Sequence, residues 1–547
     1  MSPDFRLPFG WSMNKLSLVL FNTLAGAALI ALSFTATLPL DPVNFAFFSF
    51  IGFLCALYRP GWAFLLLIGM LPYEIISIAP AGFGIMIRPY QWLLALIVLA
   101  LAVRLALGRF PLEKFVPNIW DVLLIVFGVS SFFSALMSDD QAAALALSVI
   151  LASFICLYFV CRLFVRSTDD ARMLLPFLFS SFLVVSCYAI LQNILFLSGR
   201  ESLEVMAGRP NATFSEADWL GGYLAAIITA LGALIVSPAL VSRYAPLRTA
   251  RVIFSVLLFF GFTALILSVS RSAWLAALAG LASALLIFGW QRGIFDALYW
   301  RNTQILKRAF FVKLFISLPF CAALLLVYIS GLTPFDLLDR SKSVVSGDQK
   351  ITIACGQAVS LPDRIDSLEA LAGYGCEHIR LEDIAAKRAA GAYVTEISRN
   401  DPNVDIRQGI YGKVVGIIRA HWFAGVGFGV ISEYLGTDGR PARNASSADS
   451  RNDAGGGAGL NASNIFLEVW LGAGVIGALA FVAFWVGLAG KWLYLGLRKR
   501  SSLALILFST VISATVFNLF NSGLFLGWLF VFLAFLLITP ETSYDKS

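Results

Sequence analysis

Stretches of about twenty residues with one charge or none recur along most of the chain, and this repetition limits the fold more than any other feature. A helix rises about 1.5 Å per residue, so such a stretch crosses the roughly 30 Å of a bilayer's hydrocarbon. The windows fall near 16–37, 43–58, 61–79, 89–107, 119–137, 142–165, 172–197, 219–240, 249–269, 272–290, 309–330, 464–490, 502–518 and 520–539. Backbone groups in lipid must pair within their own segment or a closed barrel, and the alternation that marks barrel strands is missing. The sequence therefore predicts an all-α, polytopic integral membrane protein with about fourteen transmembrane helices. Only 13% of the 547 residues are charged, against roughly 25% in soluble domains, which excludes a cytosolic enzyme.

Basic residues set the orientation. With the N-terminus inside, the inside connections hold about 21 of the 40 Lys and Arg, against about four in the short outside loops: Arg88, Arg200, Arg209 and Arg271. That bias predicts an N-in, C-in topology. It also accounts for the net charge of +7 without a nucleic-acid partner. The first apolar run follows Lys15 but lacks a small-residue cleavage site before Asp41, so it reads as an uncleaved span.

Four regions follow: N-terminal helices over 1–198, helices joined by arginine-bearing outside loops over 199–330, a large outside loop over 331–463, and C-terminal helices over 464–547. In the large loop, 361–372, 377–399 and 405–421 have helical spacing, the last being basic and amphipathic. The Gly-, Asn- and Asp-rich 439–462 cannot bury enough apolar surface to offset its ordering entropy and is expected to be a flap. Cys355 and Cys376 share this loop about twenty residues apart. In an oxidising compartment they pair as a disulfide, the expectation taken here; the alternative is two buried thiols.

Some familiar patterns carry no chemistry. Gly472 to Gly477 is a literal GxGxxG, but it lies inside an apolar span with no preceding strand, so its small residues are read as helix-packing surface. GVGFG at 425–429 lacks the ending of a phosphate loop. His378 and His421 are the two histidines, and no Cys/His cluster indicates a metal. The polar groups that remain gather on the outside: Tyr73, Glu74 and Arg88, then Asp139 and Asp140, then Arg200 to Asp218, then Ser270-Arg271-Ser272. Within the spans the main ionisable groups are Glu74, Asp121, Lys313 and Glu468. Arg271 occupies a very short outside turn, Arg209 precedes the eighth span, and Arg407 lies in the amphipathic segment. A guanidinium fixed at the lipid boundary suits a lipid diphosphate, or else serves as an interfacial anchor.

The series GRPNATFSEADWLGGYLA, LSVSRSAWLAALAGL, the large loop with R-x-x-x-Y ahead of IIRAHWFAGVGFG, and ASNIFLEVWLGAGVIGAL resembles the O-antigen ligase and O-antigen polymerase superfamily over about residues 200–490. The resemblance implies a GT-C-like enzyme of the bacterial inner membrane, active on the periplasmic face without a metal or cofactor. Its substrate would be an undecaprenyl-diphosphate-linked glycan, and its partners membrane lipid and other polysaccharide-assembly proteins. Arg209, Arg271 and Arg407 match the arginines proposed to hold the diphosphate, while His421 and Asn464 match family positions. His421 is the first candidate for the catalytic base and Glu468 the second, each weighed against a packing or hydrogen-bonding role. Arg88 and Asn464 are taken as glycan contacts. Ser463 stands where family members commonly have His, which tilts the expectation from ligase toward polymerase. A flippase for the same lipid is the rival class, and an assembly scaffold a third; polar groups gathered on one face, without an internal repeat, favour an enzyme.

Overall fold

The computed structural model describes residues 13–538 apart from 36, 110–116, 238–245, 294–302, 336, 338–347, 366–367, 380–382, 401 and 436–461. Its first part is a run of helices: α1 Met13–Phe34, α2 Pro42–Tyr58, α3 Pro60–Gly69, α4 Pro89–Ala106, α5 Ile119–Leu136, α6 Gln141–Phe164, α7 Thr168–Leu197, α8 Ala217–Val236, α9 Leu247–Leu267, α10 Arg271–Gln291 and α11 Thr303–Ile329. Short polar residues start several of them. The Asn118 side chain accepts from the Trp120 and Asp121 amides while Asp121 returns a bond to Asn118, and Ser167 and Asp170 do the same for α7. α8 is the most enclosed of the spanning helices, with 89% of its apolar window buried. It packs against α9 and α10.

After the large loop come α15 Ile465–Arg498, α16 Ser502–Phe520 and α17 Gly527–Phe535. α15 lies along α5, and α10 is held between α8 and α16. Ten helices among the described residues are long and apolar enough to cross a membrane, with Pro42–Tyr58 and Lys313–Ile329 slightly shorter, against about fourteen expected. Windows 61–79 and 520–539 explain part of the difference. The ten residues of α3 and nine of α17 span only about 15 Å and 13 Å, and the described remainder of each window is mostly buried chain outside those helices. Both segments are uniformly apolar, so hydropathy alone cannot separate a half-helix with its turn from a full span.

Two buried ion pairs neutralise acids flagged in the sequence. Asp121 accepts from Arg162 Nη2 at 2.8 Å and from Tyr158 Oη at 2.7 Å. Glu74 pairs with Arg88 at 3.0 Å, accepts from Tyr90 Oη at 2.9 Å, and receives the Gly527 amide at the start of α17 on Oε1, also at 3.0 Å.

The large loop departs from expectation over 361–372 and 377–399. Instead of two helices it forms β1 Asp348–Cys355, β2 Arg364–Ile365, β3 Cys376–His378 and β4 Tyr393–Asn400, with α12 Ile384–Ala389 before β4. Strand order is β2-β4-β1-β3, antiparallel except for the β2–β4 pair. Ile351, Ile353, Ile365 and Ile397 form its small core, and β-branched residues of this kind fit a pleated surface better than a helix. Cys355 faces Cys376 across β1 and β3, bonded, with Cα atoms 4.1 Å apart. The basic segment does become a helix, α13 Pro402–Ala420, followed by α14 Ile431–Leu435. The expected flap at 439–462 lies almost wholly outside the described residues.

A core this small depends on its covalent staple. Replacing Cys355 and Cys376 together by Ala is expected to remove about 3 kcal/mol of sheet stability. Protease cutting confined to 348–400, in the variant or after reduction, checks this; unchanged resistance would refute it.

Candidate functional site

Two turns at the loop-bearing end of the bundle bring the site together. The first joins α9 to α10. Val269 adopts φ 52°, a left-handed conformation that costs a β-branched residue energy and aims Ser270 and Arg271 at the start of α10. Trp274 Nε1 donates to the Leu265 carbonyl at 2.9 Å and closes the turn from beneath. Arg209 reaches it from the 199–216 loop, its Nε donating to the Ser268 carbonyl at 3.1 Å and its Nη2 pairing with Asp218 at 3.3 Å. Gly208, at φ 70°, permits that approach, since a Cβ there would come within 2.6 Å of Pro334.

The second turn joins α16 to α17 and takes bonds from three other elements. Asn464 caps α15 by accepting the Phe466 and Leu467 amides, and its Nδ2 donates to the Leu519 carbonyl at 3.2 Å. Arg407, in α13, lies over the Phe520 ring at 5.7 Å with Nη2 3.5 Å from the Phe520 carbonyl. Asn521 Nδ2 donates to Ser272 Oγ at 2.6 Å and so ties this turn to the first. Ser270 and Ser272 hydroxyls sit 3.3 Å apart. The three arginines singled out in the sequence thus attach to a pair of turns that are bonded to each other.

Glu468 lies one helical turn beyond Asn464, 8% exposed, with Ser522 of the second turn beside it. Asp121 and Glu74 each have an arginine; Glu468 Oε2 is buried without a hydrogen-bond partner. Among the described residues no ion pair to Glu468 is seen, and the Ser522 hydroxyl is its polar neighbour.

His421 is elsewhere. It follows α13 at the end opposite Arg407, fourteen positions along and so about 21 Å away. Its exposed ring rests edge-on against Tyr434 at 5.5 Å, and the Tyr434 hydroxyl bonds to Asp139. Beyond it, the 423–427 chain enters α15 where that helix breaks at Gly474, φ 66°. The Leu471 carbonyl accepts the Val426 amide at 2.7 Å, and Val475 donates to the Phe423 carbonyl at 3.2 Å. A Cβ on Gly474 would stand 2.1 Å from that carbonyl, so the GxGxxG glycines admit a loop rather than only a neighbouring helix. Arg88 is 4% exposed and engaged with Glu74 and Tyr90, beneath the 199–216 loop whose Thr213 carbonyl accepts the Glu74 and Ile75 amides.

Among the described residues no three His, Cys, Asp or Glu side chains gather as a metal-holding group. Residues 254–482 match the family model described as O-Antigen ligase. That match, over less than half of the chain, supports its assignment to the O-antigen ligase superfamily. No curated protein and no solved structure matches it. The matched segment contains Arg271, Arg407, His421, Asn464 and Glu468, whereas Arg209 precedes it and Leu519 to Ser522 follow it. Asn521 and Ser522 were missed in the sequence; the only signal is the NSG interruption of an apolar run.

In the same loop as Arg209, Glu204 Oε2 accepts the Gly208 amide at 2.9 Å, and Oε1 is buried without a partner. Burial pushes this carboxyl up to about 7. The folded loop keeps a proton that the unfolded chain releases near its ordinary value of 4.5, so its contribution to stability falls as pH rises through about 7. Glu204→Gln is expected to flatten that fall. Thermal midpoints of both proteins between about pH 5 and about pH 8 test it, and a difference independent of pH overturns it.

Proposed function

We propose that this membrane-bound, polysaccharide-related enzyme is a glycosyltransferase working on the periplasmic face of the bacterial inner membrane, polymerising O-antigen or exopolysaccharide repeat units from undecaprenyl-diphosphate-linked glycan. What carries the reading is the attachment of Arg209, Arg271 and Arg407 to two bonded turns, with Glu468 beside them. The N-in, C-in topology from the basic residues directs this end outward.

A hydroxyl of the acceptor sugar attacks the anomeric carbon of the diphosphate-linked sugar. The new glycosidic bond forms as the bond to the diphosphate oxygen breaks, and the lipid diphosphate leaves with the charge. Arg271, Arg209 and Arg407 supply fixed cations for that charge in surroundings where water competes poorly. Glu468 takes the hydroxyl proton. Asn464 positions the start of α15, so that Glu468 faces the second turn. Arg88 acts on the glycan through the Glu74 network that supports the 199–216 loop. His421, about 21 Å from Arg407, is a contact for a more distant part of the glycan. The family description favours the second reading, ligation of finished glycan to lipid A-core, and Ser463 in place of the family's His favours polymerisation. A flippase would leave the unpaired Glu468 without a task.

Arg271→Ala is expected to lower glycan assembly by about 10²–10³-fold at normal protein level, and Arg271→Lys to fall short because a point charge lacks the bidentate fork. Full assembly in Arg271→Ala would remove the diphosphate role. Glu468→Gln should cost about 10²–10⁴-fold and His421→Ala less than about tenfold in single-turnover transfer; the reverse order would exchange their roles. In a deletion strain, lipid A-core capped with one repeat indicates polymerase. Lipid-linked polymer with no capped core indicates ligase, and movement of the lipid across liposomes without a new glycosidic bond indicates a flippase.

A further inference from the structure

Of the four ionisable groups singled out within the spans, Glu74 and Asp121 have arginines and Glu468 belongs to the candidate site, which leaves Lys313. Lys313 is exposed on α11, at the start of the apolar part that runs to Ile329. α11 ends beside the candidate site, where Pro334 stands next to Gly208, so Lys313 lies toward the opposite face of the membrane. α9 runs the same way, ending at the Val269 turn, and carries Arg248 and Arg251 in its first two turns. Arg248 is exposed; Arg251 is half-buried, its Nε 3.4 Å from the Ile235 carbonyl at the end of α8. Among the described residues no carboxylate pairs with any of these three cations.

Next to them, α9 and α11 enclose an apolar groove of about 370 Å³, lined by Val252, Ser255, Val256, Leu314, Leu318 and Pro319 among others. Its polar atoms are accounted for. Pro319 has no amide to offer the Phe315 carbonyl, and Ser255 Oγ donates to that carbonyl at 2.9 Å instead. What faces outward is hydrocarbon, with Val252, Val256 and Leu318 half exposed or more. The volume is more than twice the roughly 150 Å³ that takes benzene in an engineered protein cavity, so a run of methylenes fits. Arg248 and Arg251 stand four positions before Val252 and Ser255, on the same helix face, so cations and groove form one surface.

We propose that α9 and α11 bind an anionic glycerophospholipid of the leaflet opposite the candidate site, its phosphate against Arg248, Arg251 and Lys313 and one acyl chain in the groove. A lone lysine at this depth would be an anchor that snorkels to the interface. Three cations without acids at the mouth of an apolar groove match instead a ligand with a negative head and a hydrocarbon tail. A polyprenyl diphosphate has the same two parts, but in the reading above its diphosphate belongs to the arginines at the other end of α9, roughly 30 Å away. With the N-terminus inside, the leaflet that supplies the lipid is the cytoplasmic one.

The test titrates the full chain, purified in neutral detergent, with phosphatidylglycerol and with phosphatidylcholine of the same acyl chains, and counts bound lipid by native mass spectrometry. At about fivefold per cation, phosphatidylglycerol is expected to bind about a hundredfold more tightly, and Arg248→Ala with Lys313→Ala should cut the preference to about fivefold. Arg248→Lys with Lys313→Arg, which keeps the charges, should preserve it. Ala322→Phe fills the groove and should weaken both lipids by about tenfold with the preference intact. No preference in the unmodified protein, or one that survives the alanines, overturns the site. Undiminished binding in Ala322→Phe does so too, even if the alanine pair fails to fold. Displacement of phosphatidylglycerol by undecaprenyl phosphate at equal concentration would give the groove to a polyprenyl lipid, and a dimer that Ala322→Phe dissociates would make it an interface between copies; either result overturns the proposal.

Discussion

A helix can be interrupted inside a bilayer only where neighbouring protein takes over the backbone groups that the break sets free. This chain does so twice near its candidate site. At Gly474 the Leu471 carbonyl, released from the α15 ladder, accepts the amides of Val426 and Gly427. At the start of α17 the Gly527 amide is received by Glu74. Each repair allows a turn to lie at a depth where lipid alone would forbid it. Residues 519–526 can therefore sit inside the bundle and present Asn521 and Ser522 to the ends of α10, α13 and α15.

These repairs also sort the ionisable residues. Asp121 and Glu74 stand out in the sequence because charge in an apolar span is expensive, and Arg88 as an outside arginine taken for a glycan contact. The structure assigns each to a buried pair with defined hydrogen bonds. Glu468 has the same sequence signature without an arginine. That difference in partnering, rather than the charge itself, distinguishes Glu468 from the acids that hold the bundle together.

Much of this was legible from where charge interrupts hydropathy. Arg271 stood out because it occupies a very short outside turn, Arg209 because it precedes a span, Arg407 because it lies in an amphipathic segment, and Asn464 because it opens a span. His421 ranked ahead of Glu468 in sequence as a candidate base, and the length of α13 is what sets it away from Arg407. The half-helices α3 and α17 were hidden because a buried turn is as apolar as the helix it replaces. Asn521 and Ser522 were hidden because an uncharged polar residue barely lowers the hydropathy of its window. The sheet escaped notice because its strands are short and its acidic residues imitate helix starts.

The Glu74–Gly527 bond joins residues 453 positions apart, and its consequence is one of timing. A ribosome delivers Glu74 to the membrane among the first helices and Gly527 among the last. The acid must wait, held by Arg88 and Tyr90, through the insertion of nearly the whole bundle before its final donor exists. The turn carrying Asn521 and Ser522 is delivered with it, so an incompletely synthesised chain can hold its arginines in the membrane before the turn that binds Arg407 and Asn464 exists.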